Sequence, residues 1–341
     1  MKSTAIAPSN IAFTKYWGKK DEILRLPENG SVSMCLSNLL TTTTVDFSDK
    51  LNEDVVTLNG EVEKGEDSMV ITHRVSRSDA MKSHPIIKHL ERIRKMAGIT
   101  TFAKVVSNNN FPVGTGLSSS AAGFAALTLA ASKAAGLNLS EKQLSILARQ
   151  GSGSACRSIP SGIVEWLDGD TSESSFAKTI FPKNYWKISD VVAIVSQDKK
   201  DVPTSVGQQT AKSSPFMESR KSHMAAKNRL VKKLIKEKKF KEFGQLVELE
   251  ALELHAIMLT QTPPLIYWQP NTILMMKLVQ KWRAEGLEAY FTINTGQDVH
   301  IIVEDKNVKE LVKRLKKVEE VREIIINTPS EGAKLSTKHL F

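Results

Sequence analysis

Between Asn108 and Trp166 the chain carries two stretches whose residue types suit the binding of a polyanion. The first, Pro112-Val113-Gly114-Thr115-Gly116-Leu117-Ser118-Ser119-Ser120, runs directly into an Ala-rich segment. Glycines let a backbone turn tightly and approach a ligand. The free N–H groups at the start of a following helix, helped by the helix dipole, then point at an anion. The second, Gly151-Ser152-Gly153-Ser154-Ala155-Cys156-Arg157-Ser158, offers hydroxyls, permissive backbone and one guanidinium, a set suited to phosphate or carboxylate. One Gly/Ser turn before a helix is often only a cap. Two of them about 35 residues apart favour a ligand. The first lacks the Lys-Ser/Thr of a Walker A loop, and its glycine spacing is not that of a dinucleotide-binding fingerprint.

Elements must hold these loops in place. Segments 3–13 and 40–47 read as strands from their β-branched content, and 54–63 reads as a hairpin turning at Asn59-Gly60. A helix is predicted over 84–97, a strand over 101–107, and a helix over 117–135 that ends before Gly136. Ser140 is placed to cap a helix reaching about residue 150. Extended segments follow at 162–167 and 191–196. Residues 198–222, polar and interrupted by Pro203 and Pro215, read as a mobile loop that becomes helical, with helix continuing to about 260 before Pro263-Pro264. Then come a helix at 271–285, strands at 288–293 and 298–303, a helix at 307–318 and a strand at 322–327. The pattern is α+β, with a lobe boundary near 185–190.

At 341 residues the chain suits one large domain or two lobes. It has no run of eighteen apolar residues and no signal-like N-terminus, so a cytoplasmic location is expected, with Cys35 and Cys156 as reduced thiols. The scattered histidines give no zinc spacing, and no protein metal site is expected. The net charge of +10 admits two explanations, nucleic acid or a small polyanionic substrate. Lysine and arginine concentrate in 227–242 and 307–322, both amphipathic at helical spacing, which reads as solvated helix faces. No aromatic residues interleave with them for base stacking.

Together with Ala7-Pro8-Ser9-Asn10-Ile11-Ala12, Lys15-Tyr16-Trp17-Gly18-Lys19 and Leu26-Pro27-Glu28-Asn29-Gly30-Ser31-Val32-Ser33, the two loops resemble the diphosphomevalonate decarboxylase branch of the GHMP kinase superfamily, over nearly the whole chain. The resemblance implies a two-lobed fold, lobes 1–187 and 188–341, with the active site in the cleft between them. It implies ATP and Mg2+ as cofactors, a phosphorylated mevalonate as substrate, no nucleic-acid or membrane partner, and a homodimer. The implied reaction moves the ATP γ-phosphoryl group to the tertiary 3-hydroxyl; phosphate then leaves as the carboxylate departs as CO2. By the same resemblance Gly114, Gly116, Ser118, Ser119 and Ser120 form the ATP phosphate loop. Tyr16 and Lys19 contact the 5-phosphate end, Ser152 and Ser154 the substrate phosphate, and Arg157 the carboxylate, with Thr204 and Ser205 in a substrate-side loop. Lys15 is expected to face away by strand alternation, and Trp17 to pack. Lys19, Arg157 and the position of Asn294 are the expected catalytic positions.

The chain departs from the family at Phe291-Thr292-Ile293-Asn294-Thr295-Gly296-Gln297-Asp298, where the family has Asp-Ala-Gly-Pro-Asn after the strand. Asn294 stands at the Asp position and cannot accept a proton as a general base. Three readings follow. Asp298 could substitute, although four residues on it is expected to face elsewhere. The chain could run one half-reaction, as a 3-kinase or as an ATP-independent decarboxylase of mevalonate 3,5-bisphosphate. Or it could be an inactivated variant with another role. Ile159-Pro160-Ser161-Gly162 replaces an aromatic followed by two glycines, which bears on substrate shape. His255, in an apolar helical run, reads as a core or supporting histidine, and Cys156 as packed. A nucleic-acid-binding protein reusing this fold, motivated by the charge, is the reading from another class.

Overall fold

The structure, a computed structural model, describes residues 1–59, 70–75, 84–196, 198 and 200–341. Along the chain come strands β1 (Lys2–Thr14), β2 (Lys19–Asp21), β3 (Leu26–Pro27), β4 (Ser31–Ser48), β5 (Asp54–Asn59) and β6 (Val70–Val75). Helix α1 (Pro85–Ala97), β7 (Phe102–Asn109), α2 (Ser119–Ala134) and α3 (Glu141–Gly151) follow. A 3-10 turn, Gly153–Ser158, then leads to β8 (Ile163–Trp166) and β9 (Ala177–Phe181). After β10 (Ile188–Ile194) come a short α4 (Thr204–Gly207), a 3-10 turn at Gln208–Ser213, α5 (Met217–Glu237), α6 (Phe240–Thr260) and α7 (Pro270–Ala284). The chain ends in β11 (Ala289–Thr292), β12 (Val299–Glu304), α8 (Val308–Leu315), β13 (Glu323–Asn327) and β14 (Lys334–Ser336).

Among the described residues, one eight-stranded sheet has the order β14-β1-β4-β7-β5-β6, with β8 paired to β4 and β9 to β8; a four-stranded sheet has the order β11-β12-β10-β13. Among the described strands only β5 and β7 run parallel. The 18-residue β4 serves two neighbours on one side: Thr41–Ser48 pairs with β7 and Ser31–Met34 with β8. Strand β1 bulges at Pro8/Asn10 and again at Ala12/Thr14, re-aiming the chain as it enters the region of Lys15.

Helix α2 is Ala-rich and buried around much of its circumference, through Ala121, Ala122, Ala125, Ala126, Ala130, Ala131 and Ala134. Alanine is the best helix former, and its small side chain lets the helix lie close against β1 and β4. Helix α3 starts in a capping box: Ser140 Oγ accepts from the Gln143 N–H, and the Ser140 N–H donates to Gln143 Oε1 at 2.9 Å. The two sheets share one apolar core. Ile11, Phe13, Val32 and Met34 of the first meet Val192, Tyr290 and Ile302 of the second, with Val231, Phe243 and Val247 of α5 and α6 between them. Phe13 and Phe243 pack edge to face at 4.9 Å.

Three sequence expectations change. Strand β5 does not turn back tightly at Asn59-Gly60: its antiparallel partner is β6, with Asn59 opposite Val70, and Gly60 lies outside the described residues. The single long helix is two, because Lys238 takes a left-handed conformation (φ 53°) and ends α5 before α6 begins. The polar 198–222 segment is, where described, already helical from Thr204, with Gln208 and Ala211 buried, because Gly207 lets it close on Leu265 and Trp17.

Because α3 delivers the second Gly/Ser loop, its cap matters for the site. Ser140→Ala is expected to cost about 1 kcal/mol, read as a lower urea midpoint at unchanged slope.

Candidate active site

The two loops and the Asn294 turn meet around one cavity of about 380 Å3. Its wall takes Gly114, Gly116, Ser118, Ser119 and Ser120 from the first loop; Gly151, Ser152, Gly153, Ser154 and Arg157 come from the second. Lys15 and Tyr16 follow β1, Lys200, Thr204, Ser205 and Gln208 surround α4, and Asn294 and Thr295 follow β11. Among the described residues four basic side chains line it, Lys15, Arg25, Arg157 and Lys200, and no carboxylate does.

The first loop ends at Ser118, whose φ of 59° is left-handed. Its hydroxyl does not cap the helix; it accepts the Asn294 Nδ2–H at 3.1 Å. That leaves the N–H groups at the start of α2 directed at the cavity, with no acidic residue in the first turn to oppose an anion. Gly116 (φ 112°) and Gly296 face each other so closely that a Cβ on Gly116 would lie 2.6 Å from the Gly296 Cα. The loop and the Asn294 turn therefore touch backbone to backbone. In the second loop a Cβ on Gly153 would lie 2.6 Å from the Tyr16 hydroxyl, so glycine is what lets Tyr16 in.

Arg157 is buried, and its plane is fixed by Nε to Asn10 Oδ1 at 3.1 Å and Nη1 to Ser31 Oγ at 2.7 Å. Tyr16 donates to Gln208 Oε1 at 2.6 Å and packs on Trp166; burial pushes its phenol up to about 12, so it stays a neutral donor. Ser120 and Ser152 bring the two loops within 3.5 Å, hydroxyl to hydroxyl. Lys200 binds Thr204 Oγ1 at 2.6 Å and the Thr295 carbonyl at 3.0 Å, and burial lowers its amine to about 8.

Lys15 lies in the cavity wall, against expectation. Strand β1 stops at Thr14, so the alternation that would turn residue 15 away no longer applies. Its backbone is held by buried charge. Its N–H donates to Glu250 Oε1 at 2.9 Å, and its carbonyl accepts from Arg220 Nη2 at 2.8 Å and Asn29 Nδ2 at 2.9 Å. Arg220 in turn pairs with Glu250 and Glu253, and Lys227 with the same two acids. Lys15 Nζ donates to the Ala12 carbonyl at 2.7 Å and to Asn294 Oδ1 at 3.2 Å. Burial, the largest influence, lowers its amine to about 7; Glu250 and Asp190 oppose this, while Arg157 and Arg220 add to it.

Lys19 does the reverse. It is buried outside the cavity wall and pairs with Glu22, so as placed it brings no cation to the site. Asp298 is turned toward the second sheet, accepting the Val195 N–H at 3.0 Å, and burial raises its carboxyl to about 6. It does not line the cavity. Nor does 159–162, where Gly162 bonds to Ser330 and Cys35. His255 is buried and stacked on Trp268, and burial lowers it to about 3. As the neutral Nε2–H tautomer it donates to the Asn294 carbonyl at 3.0 Å, a supporting role. Cys156 and Trp17 are packed, the thiol pushed up to about 12 and the indole bonded to Gln261. Sequence reasoning missed Arg25, Lys200 and Gln208. No spacing marks them, and only their approach to the cavity does.

Two family models cover most of the chain. One, a diphosphomevalonate decarboxylase-like N-terminal domain, matches residues 7–177; the other, a mevalonate 5-diphosphate decarboxylase C-terminal domain, matches 190–338. The chain is 34% identical to the diphosphomevalonate decarboxylase of Candida albicans over 322 residues, 92% of this chain and 88% of that one. It is 34% identical to the human enzyme of the same name, over 91% of this chain and 78% of that one. Among solved structures, mevalonate diphosphate decarboxylase from Staphylococcus aureus superposes with a TM-score of 0.87 at 35% identity, covering 98% of each chain. A structure of MDDEF in complex with MVAPP, AMPPCP and magnesium gives 0.87 at 35%, over 98% of this chain and 99% of that one.

Glu250 is the acid on which the Lys15 backbone, Arg220 and Lys227 converge. Glu250→Gln is expected to destabilise the fold by about 3 kcal/mol, measured by urea denaturation, because it leaves two buried cations short of a partner.

Proposed function

Since the chain belongs to the diphosphomevalonate decarboxylase family, we propose that it converts a phosphorylated mevalonate, with ATP, to an isopentenyl phosphate or diphosphate, releasing ADP, phosphate and CO2. The observation that carries this reading is the cavity wall: among the described residues it gathers four cations and two hydroxyl-rich loops without an acid, a lining suited to two polyanions.

ATP fits the first loop, where the backbone at Gly114 and Gly116 and the start of α2 cradle its phosphates and Lys200 supplies a cation alongside. The apolar surface of Val113 and Phe124 suits its base. Among the described residues no group of three or more His, Cys, Asp or Glu could hold an ion by itself, so Mg2+ fits as a partner of the nucleotide phosphates, whose charge it offsets. The second loop takes the other substrate. Ser152, Ser154, Tyr16, Thr204 and Ser205 offer hydroxyls to its phosphate, and Arg157 takes the carboxylate with a guanidinium already oriented by Asn10 and Ser31.

These groups do two things. They align the tertiary hydroxyl with the γ-phosphorus and spread positive charge around the transferring group, which is most of what phosphoryl transfer asks of a protein. After transfer the 3-phosphate leaves with its electron pair, positive charge develops at C3, and breaking the bond to the carboxylate supplies the electrons for the new double bond. The absence of carboxylates from the wall suits a departing phosphate dianion.

The lobes are read as residues 1–187 and 188–341, with the cavity between them. A cytoplasmic location and a homodimer are part of the same proposal; no helix among the described residues is long and apolar enough to cross a membrane. Nucleic acid is not proposed as a partner. Several cations of the basic helical segments are already paired, Lys227 with Glu250, Lys232 with Glu165, and Arg314 with Glu310 and Glu285.

Asn294 supports a second reading, a partial reaction in which phosphorylation and decarboxylation are uncoupled. A product assay separates the two. With ATP, Mg2+ and either mevalonate 5-phosphate or 5-diphosphate, ADP and CO2 are expected in equal amounts, and Arg157→Gln is expected to lower kcat/KM by about 100-fold. ADP without CO2 would make this a 3-kinase. CO2 from the 3,5-bisphosphate without ATP would make it a decarboxylase only.

A further inference from the structure

Asn294 has a defined orientation. Its Nδ2 faces the Ser118 hydroxyl at 3.1 Å and the Asn10 carbonyl at 3.5 Å, and that carbonyl can only accept. Its Oδ1 therefore faces Lys15, at 3.2 Å from Nζ. The other partner of that nitrogen is the Ala12 carbonyl at 2.7 Å, again an acceptor. A neutral amine has two N–H bonds and one lone pair, so these two acceptors use both hydrogens. Lys15 lines the cavity, so its side chain stands in the wall where a substrate would bind. A carboxylate at residue 294 would favour the ammonium form, whereas a carboxamide adds no charge.

We propose that the Lys15 amine is the proton acceptor for the tertiary hydroxyl during phosphoryl transfer, taking the place of the missing carboxylate at position 294. The assignment rests on the phosphoryl-transfer reading given above. In the step, the hydroxyl O–H breaks and its proton passes to Nζ, giving the ammonium. The oxygen bonds to the γ-phosphorus, and the bond from that phosphorus to the bridging oxygen breaks, ADP leaving with the electron pair. The ammonium so formed lies beside the newly transferred phosphate, whose departure it then assists.

The surroundings favour a neutral resting amine. Arg157 from the second loop, Arg220 from α5 and Lys200 near α4 face the same region as cations. Glu250 of α6 and Asp190 of β10 oppose them, but Glu250 is engaged by Arg220, Lys227 and the Lys15 backbone N–H, and Asp190 by His300. His255 of α6 is neutral. Burial is the dominant influence and brings the amine to about 7.

The sign of the pH dependence tests the assignment. A base must be deprotonated, so the rate of ADP release is expected to rise with pH through about 7. A lysine acting only as a fixed charge gives a rate that is flat or falls over the same range, which would overturn the proposal. Lys15→Arg keeps the charge but cannot accept a proton; it is expected to lose at least about 100-fold in kcat while KM for ATP changes little. Full activity in that variant would also overturn it. Asn294→Asp places a carboxylate beside the amine and favours the ammonium, so with Lys15 as the base the acidic limb is expected to move up by about one pH unit or more; an unmoved limb counts against the assignment. A readout independent of turnover is the 13C NMR titration of ε-labelled lysine, where the resonance lost in Lys15→Arg should titrate near neutrality in the wild type and at higher pH in Asn294→Asp. Its absence would show Lys15 to be an ordinary ammonium. If no ADP forms from either mevalonate phosphate at any pH, the phosphoryl-transfer reading falls and the base assignment with it.

Discussion

The buried ion cluster of α5 and α6 is the constraint on which the site depends. Arg220 and Lys227 meet the buried Glu250 and the partly exposed Glu253, and the cluster spends part of its hydrogen-bonding capacity on a segment far away in sequence: the backbone of residue 15. A buried pair of this kind adds little net stability over apolar packing, but it is costly to break and strict in geometry. Here that strictness is transferred to the chain just after β1. Lys15 and Tyr16 are directed into the cavity because their peptide groups are gripped from behind, and the Arg220 guanidinium that does the gripping also opposes charge on the Lys15 amine.

A second constraint is electrostatic. Among the described residues the cavity wall gathers four cations and no acid, and burial depresses two of the cations, Lys15 and Lys200, toward neutral pH. Such a wall is poorly satisfied when empty, and bound phosphates would restore its charge. The two lysines differ in their surroundings: Lys200 sits between the Thr204 hydroxyl and the Thr295 carbonyl, and Lys15 between the Ala12 carbonyl and the Asn294 amide oxygen.

Much of this was legible in the chain. Ser140 marked the start of α3, the Ala-rich run within 117–135 marked a helix, and both Gly/Ser loops fall in the cavity wall with Arg157 beside them. Asn294 was recognisable as the departure that matters. What could not be read is of one kind. The side-chain direction of Lys15 depends on a strand ending one residue earlier, and that of Lys19 on capture by Glu22 three residues on. Lys200, Gln208 and Arg25 reach the cavity only through the packing of segments remote in sequence. The break at Lys238 hides in a lysine-rich run that has good helix propensity throughout; only the left-handed backbone marks it.

Gly116 and Gly296 meet with no side chain between them. A separation set by peptide groups alone has one width, and no substitution can tune it without wedging the two segments apart. Variation at this site is thereby channelled into what adjoining side chains carry. Asparagine and aspartate have the same number of heavy atoms and nearly the same shape, so exchanging one for the other at 294 alters charge and removes the donor that faces Ser118 and Asn10, without changing the space the side chain fills. The geometry is inherited as a rigid unit, and the chemistry performed within it is the part that can drift.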